Sequence, residues 1–96
     1  MARRRREPLL PTPALLALGI RPGQRVRFRR SAGDRWTEAV AAGVEKDGSI
    51  GVRDGDGRFR AIPIERLEAR VPGRRGGERW EPLADVAARE EQLGLF

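Results

Sequence analysis

Ninety-six residues allow one small domain with tails, and a formal charge of +6 with a pI near 11.4 favours an anionic partner. The chain has neither cysteine nor histidine, which excludes disulfides, thiolate nucleophiles, zinc sites and histidine general bases together. No apolar run approaches the ~20 residues of a membrane span.

Residues 1–8 read as a disordered basic tail carrying Arg3, Arg4, Arg5 and Arg6. Pro8, Pro11 and Pro13 break the apolar stretch that a signal peptide needs, so a cytoplasmic protein is expected. In Pro11-Thr12-Pro13-Ala14-Leu15-Leu16-Ala17-Leu18-Gly19, Thr12 suits a helix cap, Pro13 the first position and Gly19 the residue past the end. A helix of barely two turns is marginal alone, so its leucines are expected to pack on later parts of the chain.

After a turn at Arg21-Pro22-Gly23-Gln24 the period becomes two. Arg25-Val26-Arg27-Phe28-Arg29 predicts a strand with Val26 and Phe28 inward. Ser31-Ala32-Gly33-Asp34 connects it to a strand from Trp36 to Glu45. Trp36, Val40 and Val44 are assigned inward there, with small residues that allow a bulge. Asp47-Gly48 and Asp54-Gly55-Asp56-Gly57 are hairpin turns around the strand Ile50-Gly51-Val52-Arg53. Arg58 to Ile62 is a fourth strand, Pro63 to Leu67 a 3₁₀ turn, and Glu68 to Val71 a fifth strand. Residues 72–79, rich in glycine and arginine, read as a flexible linker. Residues 80–96 read as a helix, starting at Pro82 with Leu83, Val86 and Ala87 on one side, followed by an apolar terminal peptide.

The expected fold class is therefore mainly β: five short strands closing into a small barrel over residues 9–71, with a short N-terminal helix and a C-terminal helix. Over residues 22–71 the chain resembles the Tudor and SH3-like small barrels. The resemblance rests on Gly33-Asp34-Arg35-Trp36, Asp47-Gly48, Asp54-Gly55-Asp56-Gly57 and Pro63-Ile64-Glu65-Arg66-Leu67. It concerns the fold and says little about function. The aromatic cage with which such barrels read methylated cations is not expected here. The chain lacks tyrosine, and Trp36, Phe28 and Phe59 are assigned to the core.

No enzyme, cofactor, metal or small-molecule substrate is expected. Asp54-Gly55-Asp56-Gly57 lacks the ligand spacing and closing glutamate of a calcium loop. No phosphate-binding loop is present, and no histidine could activate a serine or threonine. Two binding signals remain. Arg25, Arg27 and Arg29 on the first strand, Arg53, Arg58 and Arg60 further on, and Arg3 to Arg6 in the tail form a candidate phosphate-binding surface for DNA or RNA.

The second signal is Gln92-Leu93-Gly94-Leu95-Phe96 at the end of the sequence. It resembles the bacterial sliding-clamp-binding peptide, Gln-Leu-Ser/Asp-Leu-Phe, with Gly94 at the most permissive position. The resemblance implies that the Gln92 amide enters a polar notch, Leu93 fills a small apolar site, and Leu95 and Phe96 fill a deeper one. It implies an adaptor in DNA replication, repair or translesion synthesis, with the clamp as partner and DNA or a DNA polymerase on the barrel. Membrane contact is not expected. The alternatives are an RNA- or DNA-binding barrel, or a protein-interaction module, whose C-terminus is only structural.

Overall fold

The computed structural model describes residues 8–93; Arg3, Arg4, Arg5, Arg6, Gly94, Leu95 and Phe96 lie outside them. The chain runs α1 (Thr12–Leu16), β1 (Arg25–Phe28), β2 (Thr37–Val44), β3 (Ile50–Asp54), β4 (Phe59–Ile62), a 3₁₀ turn (Ile64–Arg66), β5 (Leu67–Pro72), β6 (Glu78–Pro82) and α2 (Leu83–Leu93). It is a mainly β fold with two helices. No described helix is long and apolar enough to cross a membrane.

The expected five-stranded closed barrel is corrected to an open, six-stranded antiparallel sheet in the order β4-β3-β2-β1-β5-β6. The reason lies in residues 72–82. The glycine-rich stretch read as a linker is the turn of a hairpin, where Gly76 and Gly77 take positive φ and the Gly73 N–H donates to the Gly77 carbonyl at 3.0 Å. The next residues pair with β5 in the register Arg70↔Trp80 and Glu68↔Pro82. This added strand occupies the free side of β5 along which a barrel would close. Pro82 is tolerated because β6 is an edge strand. The helix accordingly begins at Leu83 instead of Pro82.

One face of the sheet carries the core. Val26 and Phe28, Ala39 and Ala41, Ile50 and Val52, Ile62, and Leu67, Ala69 and Val71 are buried on it. Leu15 and Ile20 from the N-terminal segment, and Leu83 and Val86 from α2, cover it. Leu16, which α1 turns the other way, is exposed. Pro11, not Thr12, occupies the cap of α1, and no side chain caps the helix.

The assignment of β2 is corrected at two positions. Val40 is exposed and Trp36 is half-buried on the opposite face, whereas Val44 is buried as expected. A bulge between Ala41 and Gly43 shifts the pairing with β3 by one residue. A one-residue shift exchanges the faces of every side chain beyond it. Odd-numbered residues therefore point inward before the bulge, and Val44 does so after it. Gly43 also admits the incoming chain: a Cβ there would lie 2.9 Å from Leu9 Cδ1.

Candidate functional site: the uncovered face of the sheet

Both helices pack on the core side, so among the described residues no helix covers the opposite face. Strand register sets what it displays. Directly paired residues share a face, giving a row Phe59, Arg53, Val40, Arg25 and a second row Glu38, Arg27, Glu68, Pro82. Arg25, Arg27, Arg29 and Arg53 are thus brought together, as strand alternation predicts. Arg60 is not among them. It pairs opposite Val52, on the core side, where its Nε binds Asp54 at 3.2 Å and its guanidinium lies 5.9 Å from the Phe28 ring. Arg58 is exposed in the β3–β4 turn.

Much of this charge is internally matched. Arg25 binds Glu38 at 2.6 Å, and that hydrogen bond raises the already high pKa of the guanidinium. Arg27 binds Glu68 through Nε at 2.8 Å and through a second nitrogen. Arg70 meets Glu78 at 3.4 Å. The exposed Arg25–Glu38 pair contributes little to stability. The larger consequence of these pairs is to lower the net field of the face.

The sequence reading missed the central feature of this face. The Arg27 guanidinium lies 4.1 Å from the Trp36 ring centroid and 4.7 Å from that of Trp80. Arg29 lies 4.1 Å from Trp36, and Arg70 lies 5.1 Å from Trp80. The five groups form a ladder across the sheet in the order Arg70, Trp80, Arg27, Trp36, Arg29. Flat guanidiniums are attracted to the negative faces of indole rings. One signal was available: Trp36 has the same parity as Glu38, the residue opposite Arg27. The partner Trp80 was hidden because its strand was read as linker and helix start.

The ladder ends at a cleft of about 300 Å³ between the β1–β2 loop and the 3₁₀ turn, lined among others by Arg29, Arg30, Trp36 and Arg66. Arg66 Nε donates to the Arg29 carbonyl at 3.3 Å, which holds the two loops together.

The acidic turn behaves as a turn. Burial pushes the Asp54 carboxyl up, but the N–H groups of Arg58 and Asp56 and the Arg60 guanidinium outweigh it and hold it below the usual carboxylate range. At the other end of the sheet, Arg89 from α2 grips the buried Glu81 of β6 with two hydrogen bonds, one at 2.8 Å. The Arg89 hydrogen bond holds the Glu81 carboxyl below its ordinary value against burial, with help from the charges of Arg89 and Arg79. A depressed folded-state pKa contributes stability above the unfolded value, and that contribution is lost as pH falls through the folded one. Thermal melts should therefore show wild-type stability declining below about pH 4, and Glu81→Gln should lose stability at pH 7 while flattening that decline. An unchanged acid limb in the variant would refute the assignment.

The clamp-motif residues divide at the boundary of the described chain. Gln92 is exposed in the last turn of α2, and Leu93 ends the helix. Burial along α2 stops earlier: Leu83 and Val86 are buried, Ala87 is half-buried, and residues 88–92 are exposed. No known family model, no curated protein and no solved structure matches this chain.

Proposed function

We propose that the chain is a non-enzymatic adaptor that binds the bacterial DNA polymerase sliding clamp through Gln92, Leu93, Gly94, Leu95 and Phe96, in DNA replication, repair or translesion synthesis. The observation that supports it best is the end of α2. The helix is anchored by Leu83 and Val86, yet its burial has ended before Gln92, the first motif residue. An exposed glutamine amide is free to donate and accept in a partner's notch. Leucine and phenylalanine anchors suit a fully desolvated pocket. A working place in the cytoplasm, at the nucleoid, goes with this reading.

The strand connectivity fits an SH3/Tudor-like meander opened at one edge by β6. On this reading, the helix-free face, with Arg25, Arg27, Arg29 and Arg53, is the surface for DNA or for a polymerase. It lies on the other side of the sheet from α2. Clamp and nucleic acid are therefore engaged without competing for the same surface. Two weak contacts held by one body bind more tightly than either alone.

Retention of the chain on immobilised clamp, with and without residues 92–96, tests the proposal. The full chain should be retained and the shortened one lost. Equal retention of both would overturn the proposal. It would favour the second reading, a nucleic-acid-binding or protein-interaction module whose terminus is structural, which the arginine-bearing face supports.

A further inference from the structure

We propose that the cleft at the end of the arginine–tryptophan ladder is a nucleotide subsite for single-stranded nucleic acid, with a base stacked on Arg29 and its phosphate held by Arg30 and Arg66. The inference rests on the nucleic-acid half of the proposed function. It does not require clamp binding.

Three observations carry it. First, the ladder is unfinished. Arg70, Trp80, Arg27, Trp36 and Arg29 follow one another in contact, and each indole has two guanidiniums within 5.1 Å of its centroid. Among the described residues Trp36 is the one ring against the Arg29 guanidinium, and Arg29 lines the cleft. A guanidinium plane is a platform for an unpaired base, so the next group in the series is a flat, electron-rich ring. Second, the cleft gathers three arginines whose charge no described carboxylate matches. Among the described residues, Arg29, Arg30 and Arg66 have no carboxylate partner, whereas Arg25, Arg27 and Arg70 each have one. Of the two carboxylates lining the cleft, Glu68 is taken by Arg27. Three guanidiniums therefore face one unmatched carboxylate, Glu65, and the local balance is positive. Third, the size is right for one residue of a strand. About 300 Å³ sits at the small end of ligand clefts, and it is set between two loops. A base paired in a duplex has no free face to offer there.

Arg27 itself is a positioning residue in this scheme. Its bond to Glu68 and its place between both indoles fix Trp36, which in turn fixes the plane of Arg29. The ladder makes the platform rigid, so little ordering entropy is left to pay when a base arrives.

The test uses the full chain and fluorescence anisotropy with labelled oligo-dT, oligo-U and a duplex of the same length, at low salt. The single strands should bind more tightly than the duplex, and comparison of oligo-dT with oligo-U tells DNA from RNA. Arg30→Glu should weaken single-strand binding by on the order of tenfold and lower its salt dependence. Arg75→Glu makes the same charge change in the β5–β6 turn, at the far end of the sheet, and should have much less effect. Emission of Trp36, isolated in a Trp80→Phe background, should change on saturation with oligo-dT. The subsite is overturned if Arg30→Glu and Arg75→Glu weaken binding equally, if the duplex binds more tightly, or if Trp36 emission is unmoved. Tighter duplex binding would leave the broader nucleic-acid reading standing. No binding of any strand at low salt would remove both. Clamp retention, read on the same preparations, is independent of all these outcomes.

Discussion

Phe96→Ala should abolish clamp binding at concentrations where the wild-type chain is fully retained. A buried aromatic anchor truncated at the centre of an interface costs about 2–4 kcal/mol, which is roughly 30- to 1000-fold in Kd. A five-residue motif has few other contacts to absorb such a loss. The same measurement, by surface plasmon resonance on immobilised clamp, should move the other way for Gly94→Asp. Glycine has more backbone freedom to lose on ordering than any other residue, so replacing it should gain about 0.5–1 kcal/mol, or roughly two- to fivefold. If the terminal peptide serves a partner's pocket, both variants should melt at the wild-type temperature. Opposite signs at positions 94 and 96, with unchanged melting, would be hard to obtain from a terminus that serves only to complete the fold. If Phe96→Ala binds as the wild type does, the clamp reading fails.

The parts of the fold that were legible in the sequence are those where local chemistry decides. The alternation of Arg25, Val26, Arg27 and Phe28 has one burial solution, and Asp47-Gly48 and Asp54-Gly55-Asp56-Gly57 turn the chain where Gly48 and Gly57 take positive φ. What was hidden depended on pairing with something distant. Residues 73–77 have the composition of a linker, and the same composition makes a tight hairpin turn once β5 offers a free edge. Arg79-Trp80-Glu81-Pro82 has a buried glutamate and an edge proline. It lacks an apolar alternation to announce a strand, because Glu81 is satisfied by Arg89 from the helix after it. Trp36 illustrates the same point for the site. A large aromatic beside a strand reads as core by composition, and only the bulge at Ala41–Gly43 and the register with β1 put it against Arg27 and Arg29. The arginines themselves were legible as a face, but their matching by Glu38, Glu68 and Glu78 was not. That matching shifts attention from the strand centres to the unmatched Arg29, Arg30 and Arg66 at the sheet end.

Leu83→Ala should destabilise the whole protein severely, and this separates a docked terminal helix from a tethered one. Leu83 is completely buried at the start of α2, in the same cluster as Leu67, Ala69 and Val71 of β5. Truncating such a residue costs about 2–5 kcal/mol, the lost transfer energy plus the cavity left behind. A domain of this length has only about 5–14 kcal/mol to lose, at roughly 0.05–0.15 kcal/mol per residue. With each kcal/mol worth about 4–8 °C in Tm at this size, the midpoint should fall by at least about 8 °C, in a single transition shared by far-UV circular dichroism and tryptophan emission. Leu16→Ala, at an exposed leucine, should change Tm by no more than a few degrees. A Tm within a few degrees of wild type for Leu83→Ala would mean that α2 contributes nothing to the fold. The variant also divides the two halves of the proposed function. At temperatures where it remains folded, its clamp affinity should equal that of the wild type, because residues 92–96 are untouched. Its affinity for single strands should collapse above its own midpoint, because the ladder exists only while β5 and β6 are paired.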